Sequence, residues 1–188
     1  MQTATKVSFN KSTDYHITDY SYRGRVSEVF GVQVPKLNAG YVLDVGCNRG
    51  HTTYDLSNIY PNCKILGIDI DEKFVSAARR RYQGGNIAFT VMDGHSNPLP
   101  DNSFAAVYAM HNVFYKVESG RIGALRGLKE MGRLAEPGGH LLICGDSKGT
   151  DNFGIFKKLM RGSSFRPVSI WCHPEVDPIM GRIVRALQ

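Results

Sequence analysis

The chain has 188 residues, 42% of them hydrophobic and 21% charged, with a net charge of +6. This is the make-up of an ordinary soluble globular protein, long enough for one domain with a sizeable core. No apolar run approaches the roughly 20 residues of a membrane span, and Met1–Lys6 lacks the apolar core of a signal peptide, so the expectation is a cytoplasmic protein with no membrane contact.

Residues 1–13 are polar and are expected to be a flexible N-terminus, leaving 14–188 as a single domain with a helical cap over about 14–36. Within that cap Tyr22, Val26, Val29 and Phe30 recur at helical spacing. The first strand is expected at Tyr41–Val45, followed by a helix that starts near His51 and stops before Pro61. A second strand covers Lys64–Ile68, and its helix runs from about Glu72 to Tyr82, where Gly84 and Gly85 end it. Strand three is Ile87–Val91 and strand four Phe104–Ala109. A helix from about Ser119 to Leu134 carries Ile122, Leu125, Leu128 and Met131 at intervals of three. Glu136–Gly139 reads as a turn, His140–Cys144 as strand five, and a helix with Phe153, Phe156, Leu159 and Met160 comes next. Two last strands lie near Val168–Cys172 and Arg182–Leu187. The alternation predicts an α/β fold: a doubly wound, Rossmann-like, seven-stranded and mostly parallel sheet with helices on both faces.

Cys47, Cys63, Cys144 and Cys172 form no CxxC pair and read as buried free thiols. Arg79–Arg81 and the group Lys157, Lys158, Arg161 and Arg166 are the basic clusters. They are solvated helix faces or an anion-attracting surface. No aromatic residues interleave them for base stacking, so a nucleic-acid partner is only weakly indicated.

The segment with most chemistry is Tyr41–Gly50, an apolar strand, a carboxylate at Asp44 and a turn with Gly46 and Gly50. A glycine turn between a strand and a helix lets a ligand approach the backbone. Asp69 ends the second strand 19 residues after Gly50, about the spacing that offers a carboxylate to a ribose. The turn is not GxGxxG, because Asn48 stands where a dinucleotide needs glycine, and no GxxxxGK[ST] loop occurs. The pattern therefore points to a nucleoside and away from a nicotinamide dinucleotide.

Val42–Gly50, Gly67-Ile68-Asp69-Ile70-Asp71, Val91-Met92-Asp93-Gly94 with Leu99–Phe104, and Leu134–Ile143 stand in order over roughly residues 38–145. Together they resemble the class I S-adenosylmethionine-dependent methyltransferases, nearest the small-molecule branch of the ubiquinone/menaquinone-biosynthesis type. The resemblance implies S-adenosylmethionine as cofactor. Asp44 would hold the amino group of its methionine moiety, directly or through water. Gly46 and Gly50 would let the backbone lie against that moiety, with Cys47 and Asn48 in the same turn. Asp69 would accept from both ribose hydroxyls, and Ile70 would pack on the adenine. Asp93 would accept from the adenine amino group, with Met92 or Gly94 bordering the ring and Met110 at the end of strand four. Asn48 departs from the family's usual glycine. It either adds a hydrogen bond or weakens binding, and Arg49 is a candidate partner for the cofactor carboxylate.

The same resemblance puts the methyl acceptor beyond strand four, at Met110–Tyr115. His111 is the candidate general base and Tyr115 a second catalytic candidate. Tyr15, His16, Asp19, Tyr20 and Tyr22 could line or cap the pocket, and Asp146 and Ser147 could face the acceptor. The acidic residues that bind magnesium in catechol-type methyltransferases are missing, so no metal is expected. The function implied is a methyltransferase enzyme, a transferase acting on a small organic acceptor at O, N or C. An RNA or protein methyltransferase and a cofactor-binding partner or sensor without turnover stand as alternatives. The sequence leaves the oligomeric state open.

Overall fold

The computed structural model describes Val26 and residues 34–110, 120–146, 166–172 and 180–187. The elements are β1 (Gly40–Val45), α1 (His51–Ile59), β2 (Cys63–Asp69), α2 (Glu72–Arg81), β3 (Ile87–Val91), β4 (Phe104–Met110), α3 (Gly120–Leu134) and β5 (Ala135–Asp146). Five parallel strands pair in the order β3-β2-β1-β4-β5. The order reverses at β1, which has β2 on one side and β4 on the other. In such sheets the crevice at the carboxyl ends of the two diverging strands is where ligands bind. Two further strands, β6 (Arg166–Cys172) and β7 (Met180–Leu187), follow, with β7 antiparallel to β5 and to β6.

The strands are apolar on both faces because helices cover both. Alternate side chains of a strand point oppositely, and the core divides accordingly. Leu43, Val45, Val107, Ala109, Leu141 and Ile143 pack with Leu128, Met131 and Leu134 of α3. Val42, Ile65, Ala106, Tyr108 and Leu142 pack on the other side with Leu56, Ile59 and Tyr60 of the α1 region. A third group joins Val75 and Ala78 of α2 to Cys47 and Phe89. The central strand β4 is buried along its whole length. Val26 belongs to the second group, and its N–H donates to Asp55 of α1 at 2.6 Å, which ties this residue to that helix.

α2 shows why these residues make a helix where they do. Asp71 caps it by accepting the N–H of Lys73 at 2.8 Å, Arg79–Arg81 sit at its negative end, and Gly84 and Gly85 follow with φ of 78° and 70°.

One expectation is corrected at β5. The turn expected at Glu136–Gly139 is not outside the sheet, because Ala135 already pairs with Phe104 before it and His140 pairs with Ala106 after it. The turn is a bulge inside a strand that begins at Ala135. Gly138 takes a φ of 79°, and a Cβ on Gly139 would lie 2.8 Å from the carbonyl oxygen of Glu136.

Cys47 and Cys63 are buried free thiols. Among the described residues no helix is long and apolar enough to cross a membrane. The expected flexible N-terminus, the rest of the helical cap, the helix with Phe153, and the candidates His111, Tyr115 and Ser147 lie outside the described residues.

Candidate functional site

The turn after β1 has left-handed backbone at alternate residues: φ is 74° at Gly46, 50° at Asn48 and 83° at Gly50. Asparagine tolerates this region better than most residues with a side chain, so the turn keeps its shape without the middle glycine. At Gly50 no side chain fits, since a Cβ there would meet the Phe89 ring at 2.8 Å and Ala78 at 2.9 Å.

The amides of Gly46, Cys47, Asn48 and Gly50 are engaged inside the protein. Gly46 and Cys47 both donate to the Ile68 carbonyl at 2.8 Å, Gly50 donates to the Cys47 carbonyl at 2.9 Å, and Asn48 donates to Asp69 Oδ2 at 2.9 Å. A phosphate cradle needs such amides free and convergent. This turn is instead a clamp between the ends of β1 and β2.

Asp69 is half-buried at the end of β2. Its Oδ2 accepts from Asn48 and its Oδ1 from the Asp71 amide, each at 2.9 Å. A carboxylate has about four acceptor positions, so each oxygen keeps one for a ligand. The carboxylate is thus fixed in orientation and still able to take two donors. Ile70 beside it is 65% exposed, an apolar side chain at the rim with little protein over it. At the end of β3, Asp93 Oδ1 accepts the His95 amide at 2.8 Å and lies 3.3 Å from His95 Nδ1. Its other oxygen has no partner among the described residues. Met92 donates its amide to the Asp69 carbonyl at 2.9 Å, and Gly94 sits so close to Val45 that a Cβ would lie 2.6 Å from it. Hydrogen bonds and packing therefore join the Asn48, Asp69, Asp93 and Gly94 loops at the carboxyl ends of β1, β2 and β3. Met110, at the end of β4, is buried and packs in the core group of Leu56 and Tyr60.

Asp44 is placed differently from a side chain open to a ligand. It is buried at 1% exposure, and Thr53 Oγ1 donates to its Oδ2 at 2.6 Å. The Thr53 amide adds a second hydrogen bond, so Asp44 caps the first turn of α1 from the neighbouring strand. Burial, which outweighs those two bonds, pushes its carboxyl up to about 7, with a smaller push from the Asp69 charge. Burial likewise drives the Cys47 thiol far above its usual range, so this cysteine is inert. Neither Thr53 nor the Glu130–Arg133 pair that anchors the Asn97–Asp101 loop was expected from the sequence. The only signals were a hydroxyl nine residues after Asp44 and a Glu-x-x-Arg spacing that reads as a solvated helix face.

The raised Asp44 value has a consequence for stability. A carboxyl easier to protonate in the folded state than in the unfolded one stabilises the fold fully below about pH 4. That contribution is lost as pH rises towards 7. Asp44→Asn keeps an acceptor for Thr53 but does not titrate. Relative to wild type it should gain about 2–4 kcal/mol between pH 4 and pH 7, read from urea unfolding at each pH. A pH-independent difference would contradict the assignment.

The fold and this donor set define a doubly wound domain built to hold a nucleoside without phosphates. The sequence profile of the methyltransferase domain matches residues 42–139, more than half of the 188 residues, and the chain belongs to that family of S-adenosylmethionine-dependent enzymes. It is similar to the demethylmenaquinone methyltransferase of Symbiobacterium thermophilum, at 30% identity over 139 residues, 70% of this chain and 52% of the relative. It is also similar to a ubiquinone/menaquinone biosynthesis C-methyltransferase of Pseudomonas fluorescens, at 27% over 169 residues, 85% of this chain and 59% of the relative. The chain spans about half the length of the curated relatives it matches. Among solved structures, a TehB-like S-adenosylmethionine-dependent methyltransferase from Corynebacterium glutamicum superposes with a TM-score of 0.68 at 18% identity, over 86% of this chain and 87% of that one. That likeness is one of fold.

The residues present fit S-adenosylmethionine. Asp69 offers two acceptor positions to a ribose diol, Ile70 an exposed apolar surface to a base, and Asp93 an unused carboxylate oxygen to an exocyclic amine. The turn between them has four of its amides committed to the Ile68 and Cys47 carbonyls and to Asp69, as a ligand with no phosphate allows.

Proposed function

We propose that this chain is a methyltransferase acting on a small organic acceptor at O, N or C. The observation that carries the reading is Asp69: a carboxylate pinned by two backbone amides with an acceptor position left on each oxygen. S-adenosylmethionine, when bound, supplies an electrophilic methyl group on a sulfonium, which is transferred in line to the acceptor nucleophile. The chain's own residues orient and enclose. Asp69 takes the ribose, Ile70 and Met92 flank the adenine, Asp93 takes its amino group, and Gly46, Cys47, Asn48, Gly50 and Gly94 shape the walls. Asp44 serves the ligand's ammonium as a buried acidic group behind the turn. A nearby cation favours its charged form and offsets the burial that raises it.

The acceptor side is assigned to the residues after β4, with His111 as general base where the nucleophile carries a proton and Tyr115 beside it. The sheet of the whole domain is taken as seven-stranded, a reading supported by the antiparallel ladders of β7 with β5 and β6. The domain spans 14–188, with the cap at about 14–36, in a cytoplasmic protein. A small acceptor is favoured over RNA because several cations near the site are engaged within the protein. Arg79 donates to the Phe89 carbonyl at 2.8 and 3.0 Å, Arg81 lies 5.5 Å from the Tyr82 ring centroid, and Arg49 lies 5.8 Å from that of Phe74.

Calorimetry with S-adenosylhomocysteine, followed by transfer of a labelled methyl group to a panel of quinols, phenols and amines, tests the reading. Binding and label transfer that is flat in salt support it. No binding at high micromolar concentration sinks it, and transfer to RNA that falls steeply with salt replaces it. His111→Ala should slow transfer about 10²–10⁴-fold with cofactor affinity unchanged. Unchanged turnover would remove His111 as the base.

A further inference from the structure

The carboxylates that follow β2 and β3 are held in different ways. Asp69 has one main-chain amide on each oxygen, from Asn48 and Asp71, so the backbone alone fixes its plane. Asp93 has both of its contacts on one oxygen: Oδ1 accepts the His95 amide at 2.8 Å and lies 3.3 Å from His95 Nδ1. The last torsion of an aspartate is broad and roughly two-fold, so a single amide leaves the carboxylate free to swing and to exchange its oxygens. A second donor on the same oxygen narrows that freedom. It also fills Oδ1, because a carboxylate oxygen has about two acceptor positions, while Oδ2 has no partner among the described residues. The loop itself does not depend on the imidazole. Gly94 packs against Val45, and the Ser96 amide and Asn97 Nδ2 each reach the Asp93 carbonyl at 3.4 Å. Among the described residues the Asp93 carboxylate is the only polar partner of the ring.

We propose that His95 is a positioning residue that sets base specificity: its amide and its Nδ1–H together hold Asp93 Oδ1, so that Oδ2 alone is presented to the exocyclic amine of the base. An ionised carboxylate only accepts, so the imidazole must carry its proton on Nδ1 to make this contact. The arrangement divides the two oxygens between the protein and the ligand. It also sharpens discrimination, because an oriented acceptor attracts an amine at that ring position and repels a carbonyl there. The inference rests on the methyltransferase reading and adds to it a residue that acts through Asp93 without touching the cofactor's reacting end.

Two ligands test it on the full chain by calorimetry. S-adenosylhomocysteine carries the amine, and S-inosylhomocysteine carries a carbonyl oxygen at the same ring position. Wild type should prefer the adenosyl ligand roughly tenfold or more, the worth of a hydrogen bond to a charged acceptor. His95→Ala should weaken the adenosyl ligand about three- to fivefold and the inosyl ligand less than about twofold, a modest effect because solvent screens a partly exposed pair. The side chains of His95 and Asp93 are 34% and 43% exposed. For the same reason the melting temperature should stay within about 4 °C of wild type. His95→Asn should recover most of the preference, since its amide nitrogen stands as many bonds from the backbone as Nδ1. An unchanged preference in His95→Ala overturns the proposal. An equal loss of both ligands also overturns it, because the substitution would then act on the shape of the loop. If wild type binds both ligands equally, Asp93 does not read the amine, and this proposal falls while the methyltransferase reading stands. If it binds neither, both fall.

Discussion

Asp69→Ala is expected to weaken S-adenosylhomocysteine binding about 100-fold, the largest single loss in the site. Two ribose hydroxyls donating to one carboxylate make two charge-assisted bonds, each worth roughly 1.5–3 kcal/mol when the acceptor is ionised. About 2.7 kcal/mol suffices for a factor of 100. The substitution also removes the acceptor of the Asn48 and Asp71 amides. Two half-buried donors lose their partner, and the fold should lose about 1–2 kcal/mol besides. Asp69→Asn separates the effects: its single carbonyl oxygen can still hold one of the amides, so stability falls less. It cannot accept from both hydroxyls as well, so affinity falls nearly as far. Calorimetry well below each variant's melting temperature reads both. Alanine binding as tightly as wild type would show that the carboxylate is a clamp for the turn and nothing more.

The parts of this protein legible in its sequence are those set by local chemistry and strand periodicity. The α2 boundaries follow from Asp71, the arginines and the glycine pair, all within fifteen residues of one another. The parallel arrangement could be anticipated because apolar strands alternate with helices, as β1, β2 and β4 do. The bulge in β5 was not legible, since Pro137-Gly138-Gly139 reads as a turn whether the residues before it pair with β4 or not. Only the long-range pairing of Ala135 with Phe104 decides it. Asp69 and Asn48 could be singled out by spacing. That they bond to each other, 21 residues apart, could not. Asp44 is a ligand contact only by the family resemblance of the motif it stands in. The structure adds Thr53, which takes up one of its oxygens, and that relation depends on how α1 packs over β1.

Arg133→Met is expected to cost roughly 2–3 kcal/mol of stability. The guanidinium is a hub: Nε and Nη2 donate to the two oxygens of Glu130 at 3.0 and 2.6 Å, Nη1 to the Leu99 carbonyl at 2.7 Å and to Asp101, and Nη2 to the Asn97 carbonyl at 3.1 Å. Glu130 in turn accepts the Asn97 amide at 3.0 Å. Its hydrogen bonds with Arg133 hold the Glu130 carboxyl below its usual range. With Arg133 gone, Glu130 is left 13% exposed without a cation. Breaking a fully buried pair in this way costs about 3–5 kcal/mol. Arg133 itself is 29% exposed, and solvent screening brings the figure down. For a chain of this size each kcal/mol moves the melting temperature about 2–4 °C, so a drop of roughly 4–12 °C should be seen by calorimetry. Arg133→Lys should recover less than half, because one ammonium cannot reach Glu130, Leu99 and Asn97 together. The loop it anchors begins beside Asp93, with Asn97 Nδ2 donating to the Asp93 carbonyl at 3.4 Å. Loss of the anchor should therefore also open the Asn97–Asn102 segment to proteolysis at temperatures where the rest of the domain is intact. A melting temperature within a degree of wild type would mean that the pair is worth no more than an ordinary surface ion pair, and that the loop is held by its backbone bonds from Asn102 and Ser103 to the end of α3.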